Sequence, residues 1–160
     1  MAVRHSKLSQ IEKIARPIKW RWRISSLQEN PDKVRSANMR AIRSKNSRPE
    51  MAVRRCAHSL GYRYRLHDKR LPGSPDLVFR SRKKVIFVHG CYWHGHGCKR
   101  GGSGAKTNTE YWRPKIARNK ERDKISVNKL TADGWNVLTL WECELNDVHA
   151  LKVRLVDFLK

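Results

Sequence analysis

Ten consecutive residues, His89 to Cys98, read HGCYWHGHGC and hold two cysteines, three histidines and two aromatics. Thiolate and imidazole are the ligand types of a structural zinc site, which takes four of them in a tetrahedron. The cluster offers Cys91, His94, His96 and Cys98, and WECEL, further along, offers Cys143. Five candidates thus compete for four places. The set Cys91, His96, Cys98 and Cys143 would clip a distant strand to a glycine-rich loop, where metal would supply what packing cannot. It leaves His94 for general-base work, as an imidazole titrating near neutrality beside a rigid loop. His89 ends the apolar run VIFVH, where strands of α/β proteins present active-site groups. On chemistry alone, either histidine could equally be a plain solvent-exposed side chain. Cys56 falls on the apolar face of a helix and reads as a core residue.

Only 14 of 160 residues are acidic, so each acid near the cluster counts. Asp76 follows Pro75 at the start of a strand, one hairpin before VIFVHG. There it could be a Mg²⁺ ligand for phosphodiester hydrolysis or a turn aspartate of LPGSPD, and the dipeptide alone does not separate the two. Glu50 fits a capping box opened by Ser47. Asp123 lies in the charged run NKERD, where ion pairing along a helix is the default.

The 36 lysines and arginines leave a formal net charge of +22, which calls for a polyanionic partner, nucleic acid first. A purely basic packing protein would not need the six tryptophans and four cysteines. No apolar run approaches the roughly 20 residues that span a bilayer, so no membrane partner is expected. The N-terminal stretch has no apolar core of secretory type, though its basic, acid-poor pattern is shared with mitochondrial presequences. Reduced, metal-binding cysteines rather than disulfides place the protein in the cytosol.

Several elements must position these groups. Residues 1–33 form a basic arm, weakly ordered and able to fold on DNA, and residues 34–160 the folded domain. DKVRSANMRAIRS predicts a short helix. SRPE opens another, with Ser47 as N-cap, which buries Val53, Cys56, Ala57 and Leu60 and stops at Gly61. YRYRLH alternates like an edge strand, and DLVF and KVIFVHG read as buried strands joined by a tight turn. After the loop KRGGSGAKTN, a long helix runs from about Pro114 to Ala132 and ends at Gly134. WNVLTLW is a further strand, and DVHALKVRLVDFLK a final helix using Val148, Leu151, Leu155 and Phe158. Strands alternating with helices predict an α/β sandwich around a mixed sheet flanked by helices.

RSANMRAIRSKNSRPE, LPGSPD, VIFVHGCYWHGHGC, EYWRPKIARNKERD and GWNVLTLWECEL occur together and in this order. The combination resembles the very-short-patch-repair (Vsr) endonucleases, bacterial mismatch-nicking enzymes, over roughly Ser36 to Leu145. The resemblance implies a restriction-endonuclease-like fold with a structural zinc on Cys91, His96, Cys98 and Cys143. It implies double-stranded DNA with a T:G mismatch, left by deamination of 5-methylcytosine, as substrate, nicked 5′ of the thymine. By matched motif, Asp76 and the backbone carbonyl of Val88 would hold Mg²⁺, and His94 would be the base. His89 would assist at the scissile phosphate, and Glu50 would hold the water or orient His94. Met39, Tyr92 and Trp93 would form a wedge that enters the base stack, easier at a mismatch because less stacking is lost. Lys115 and Asn119, one helical turn apart, would read the mismatched pair; a solvated helix face is the plainer alternative. Valine and tyrosine stand at 88 and 92, where the family often has threonine and phenylalanine. The long arm before Asp32 exceeds the family's usual N-terminus. The general nuclease motif PD…(D/E)xK lacks its second half here, as it does in the family. A monomer is expected, with mismatch-repair proteins as candidate partners. A nicking or restriction nuclease without mismatch requirement, and a zinc-stabilised DNA-binding module without catalysis, remain open.

Overall fold

The computed structural model describes residues 45–102 and 108–160. The arm, the helix expected over DKVRSANMRAIRS and the wedge residue Met39 lie outside the described residues.

Helix α1 spans Arg48–Ser59, and the Ser47 hydroxyl caps it by accepting from the Glu50 N–H at 3.4 Å. Pro49 sits in the first turn, where a missing N–H costs nothing. Only half of the expected capping box forms, because the Glu50 carboxylate turns inward to Arg54 and His67. Val53, Cys56 and Ala57 face the core as their helical spacing predicts, and Leu60 is the C-cap.

The sheet has four strands in the order β1 (Arg65–Leu66), β2 (Leu77–Phe79), β3 (Lys84–His89) and β4 (Asn136–Trp141). Neighbours are antiparallel except β3 and β4, which are parallel and in register from Lys84↔Asn136 to His89↔Trp141. The expected edge strand YRYRLH shrinks to two residues. Tyr62 and Tyr64 turn edge-on to the ring of Phe79 instead of extending the ladder. The loop to β2 is pinned by the buried Asp68, whose carboxylate is gripped by Arg70 and Arg80.

The period-2 alternation of β2 and β3 splits the core into two. Leu77, Phe79 and Ile86 pack with Val53, Cys56 and Ala57 of α1 and with Leu151, Leu155 and Leu159 of α3 (Val148–Leu159). Val78, Val85 and Phe87 pack on the other face with Leu130 and Val127 of α2 (Thr109–Ala132). In α3 the fully buried residue near the end is Leu159 rather than Phe158, which is partly buried. Helix α2 starts at Thr109, earlier than expected, with Pro114 inside it. The lost hydrogen bond falls near the exposed start of the helix, where it disturbs least. The result is a mixed α/β sandwich in which the paired C-terminal ends of β3 and β4 meet at one edge. Among the described residues, no helix is long and apolar enough to cross a membrane.

Candidate active site and metal cluster

Ligands in α/β folds bind beyond the C-terminal ends of parallel strands. Here those ends are His89 and Trp141. The sequence after β3 turns into the cluster loop, and the sequence after β4 into the short turn Glu142–Asn146, which carries Cys143. Two histidine-bearing groups therefore form side by side.

The first is Cys91, His96, Cys98 and Cys143, whose ligand atoms all lie within 4.8 Å of one another. His96 Nδ1 is 3.4 Å from Cys143 Sγ, and the imidazole stacks on Trp141 with centroids 4.3 Å apart. All three thiols are free of disulfides. Burial raises the Cys91 thiol to about 12 and also raises Cys143. Burial pushes Cys98 up as well, but the N–H groups of Gly101 and Arg100 and the nearby His96 bring it down to about 6. Close packing fixes the loop: a Cβ on Gly101 would meet the carbonyl oxygens of His96 at 2.2 Å and of Cys91 at 2.6 Å. His94 stands outside this group.

His94 instead stacks face to face on His89, with centroids 3.9 Å apart and planes 7° from parallel. Its Nδ1 is 2.5 Å from Asp123 Oδ2, and that oxygen is 4.0 Å from His89 Nδ1. In the sequence Asp123 reads as a surface ion-pairing residue of NKERD. The packing of α2 across the β3 end brings it into the site. Its signal was helical spacing, because Trp112, Ile116, Asn119, Asp123, Val127 and Leu130 share the half-buried face of α2. Gly95, at φ +60°, lets the loop press on that face; a Cβ there would sit 2.8 Å from Ile116 Cγ2. Burial, with His94 beside it, lowers His89 to about 4, so this imidazole is neutral at physiological pH.

Asp76 reaches the same cleft from the strand before. Its Oδ2 accepts the Val88 N–H at 2.7 Å, so the carboxylate is tied to β3 rather than to its own turn. Burial raises it to about 6, opposed by that N–H and reinforced by Glu50. Glu50 is 2 % exposed, and its Oε1 lies 3.0 Å from His67 Nε2. His67 Nδ1 lies 3.7 Å from Asp76 Oδ1. Glu50, His67 and Asp76 thus form a further group able to hold a cation. In the sequence His67 reads only as the end of the strand pattern YRYRLH. Asp76, His67, His89, His94 and Asp123 line one cleft of about 360 Å³, with Lys45 and Lys69 at its rim.

Beside the cleft, Tyr92, Trp93 and Trp112 meet edge to face with centroids 5.2 to 5.6 Å apart. Tyr111 extends the cluster and is 54 % exposed. Trp112 was missed; the aromatic pair in EYWRP was its only trace. Asn119 Nδ2 donates to the Trp93 carbonyl at 2.9 Å. Lys115 Nζ lies 5.3 Å from both the Tyr111 and Trp112 ring centroids, a cation–π position. The structure therefore gathers Tyr92, Trp93, Lys115 and Asn119 at one corner.

This arrangement has known counterparts in sequence. Residues 28–100 match the family described as DNA mismatch endonuclease Vsr. A type II nicking enzyme, V.XorIIP of Xanthomonas oryzae pv. oryzae, is 55% identical over 121 residues, 76% of this chain and 88% of that protein. V.NmeAIP, a type II nicking enzyme of Neisseria meningitidis, is 43% identical over 121 residues, 76% of this chain and 86% of that protein. The DNA mismatch endonuclease Vsr of Escherichia coli is 42% identical over 112 residues, 70% of this chain and 71% of that protein. With a paired-histidine cleft, a cysteine–histidine cluster and relatives of this closeness, the chain belongs to the Vsr family of endonucleases.

Proposed function

We propose that the protein nicks double-stranded DNA on the 5′ side of the thymine in T:G mismatches left by 5-methylcytosine deamination, and so starts very-short-patch repair. The observation that carries this reading is the convergence of Asp76, His89, His94 and Asp123 on a cleft flanked by the aromatic corner. A basic chain of charge +22 would bring the phosphate backbone there.

The donor sets fit two kinds of metal. Three thiols and an imidazole suit a structural Zn²⁺ and would tie the turn after β4 to the loop after β3. The buried Glu50 carboxylate and the partly buried Asp76, raised by burial to about 6, suit a hard divalent cation, Mg²⁺, held by Asp76 and the Val88 carbonyl. When bound, that cation would offset the charge growing on the phosphate. The remaining work falls to the side chains. The Asp123 carboxylate holds the proton of His94 on Nδ1, which leaves Nε2 as the lone pair that takes a proton from the attacking water. Asp123 then stabilises the resulting imidazolium. His89, kept neutral by burial, can donate to a phosphate oxygen while its ring fixes the plane of His94. The half-buried rings of Tyr92, Trp93 and Trp112 present apolar edges for insertion at a weakened base step. Lys115 and Asn119, beside these rings, would read the mismatched pair.

The framework is read as restriction-endonuclease-like, with the arm a DNA clamp and the enzyme acting as a cytoplasmic monomer on the bacterial chromosome. The test is strand nicking of matched T:A and mismatched T:G duplexes of one sequence, with and without Mg²⁺. Mg²⁺-dependent cleavage of the T:G duplex alone is expected. Equal cleavage of both would favour a nicking nuclease without mismatch requirement. Binding without cleavage would favour a DNA-binding module.

A further inference from the structure

His67 is not accounted for by the chemistry above. It sits at φ +46°, a left-handed backbone that costs a side-chain residue of order 1–3 kcal/mol and persists only where surroundings enforce it. Its backbone N–H donates to the Asp76 carbonyl at 3.4 Å, and its ring lies between the buried Glu50 carboxylate and the partly buried Asp76 carboxylate. Nε2 is fully buried and makes no directed hydrogen bond, although Glu50 Oε1 is only 3.0 Å away. A buried imidazole nitrogen without a hydrogen bond is unsatisfied, and in its unprotonated form it can give its lone pair to a cation. A separation of 3.0 Å is what two neighbouring ligands show on an octahedral ion with bonds of about 2.1 Å. Asp76 completes the set within 4.8 Å.

We propose that His67, with Glu50 and Asp76, coordinates the divalent cation of the cleft directly, so that this site prefers Mn²⁺ to Mg²⁺. The proposal rests on the reading of Asp76 as a cation ligand. Imidazole is a poor ligand for Mg²⁺, which keeps oxygen donors and water, and a better one for first-row transition ions. Removing the nitrogen therefore weakens Mn²⁺ more than Mg²⁺. Glu50 takes on a defined task as well, as an oxygen ligand beside the strand-borne Asp76.

The experiment is Mn²⁺ titration of the full-length protein, followed by electron paramagnetic resonance with detection of ¹⁴N coupling. His67→Asn is the useful variant, because asparagine tolerates the left-handed backbone; its thermal unfolding and its cysteine-site metal content show whether it folds. The parent should bind Mn²⁺ more tightly than Mg²⁺ and show imidazole ¹⁴N coupling. His67→Asn should lose that coupling and bind Mn²⁺ roughly 10–100-fold more weakly, the scale of lost support at metal sites, with Mg²⁺ affinity changing less. Persistent ¹⁴N coupling in a folded His67→Asn protein overturns the proposal and leaves Asp76 as a ligand untouched. Unchanged Mn²⁺ binding in Asp76→Asn overturns the reading of Asp76 itself, and this proposal with it.

Discussion

Asp123 Oδ2 lies 2.5 Å from Nδ1 of His94, although Asp123 belongs to the middle of α2 and His94 to the loop after β3. The contact ties the long helix to the catalytic corner and decides which nitrogen of His94 faces the cleft. In Asp123→Asn the amide keeps the shape but can present its NH₂ to Nδ1, favouring the other tautomer. Nicking of a T:G duplex should fall at least about 100-fold, the scale of a positioned acid–base group, while duplex affinity stays near that of the parent. Single-turnover nicking beside a binding titration checks it; a variant that nicks normally would detach Asp123 from catalysis.

Gly101 gives a test of the cysteine cluster that leaves every ligand in place. Gly101→Ala must displace the His96 or Cys91 carbonyl, since the added Cβ would lie at 2.2 and 2.6 Å from them. Overpacking of this kind costs about 1–3 kcal/mol, and here it also distorts the ligand set. Gly97→Ala is the control, because nothing lies within 4 Å of its Cβ position. Zinc analysis and thermal unfolding should show loss in the first variant and no change in the second. A Gly101→Ala protein with full zinc and parent stability would remove the cluster from the fold's support.

The part of this site that was legible in the sequence is the part written locally. HGCYWHGHGC packs its groups into one loop, and Ser47, Pro49 and the spacing of Val53, Cys56 and Ala57 mark α1 without tertiary help. Asp123 and His67 were not legible, because charged helix positions and alternating strand patterns have ordinary explanations. Only the packing of α2 across β3, and the short reach of β1 beside β2, turn them inward. Pro114 misled for a related reason. A proline usually opens a helix, but near an exposed start its missing bond is tolerated, and the helix extends back to Thr109.

Asp76 should cost the protein stability at the pH where it acts. Its carboxyl is raised from 3.8 to about 6 by burial, so the folded state holds this proton more tightly than the unfolded chain. The sign is opposite to that of a salt-bridged aspartate: stability is greatest at low pH, falls as pH rises from 3.8 to about 6, and stays lower above. A shift of this size corresponds to about 2–3 kcal/mol. Without added Mg²⁺, Asp76→Asn should be more stable than the parent at about pH 8, with the gap narrowing toward about pH 5. Denaturant unfolding at both pH values measures it. A variant less stable than the parent at the higher pH would mean that the Val88 N–H outweighs burial.

Trp112 holds the aromatic corner from the helix side, 5.5 Å from Trp93 and 5.6 Å from Tyr92 between ring centroids. It belongs to α2, whereas the other two rings ride on the cluster loop, so it fixes their orientation against a rigid element. Trp112→Ala should leave the His94–Asp123 pair intact, because Asp123 lies about three turns further along the helix and itself holds the His94 ring. Edge-to-face ring pairs contribute about 0.5–1.5 kcal/mol each beyond burial, and base stacking on such a side chain about 1–3 kcal/mol. Preference for T:G over T:A duplex, read as the ratio of nicking rates below saturation, should therefore fall about tenfold or more in the variant. Affinity for matched DNA, dominated by phosphate contacts, should change little and keep its steep dependence on salt. Equal loss on both duplexes would instead assign Trp112 to general DNA binding, leaving discrimination to Lys115 and Asn119.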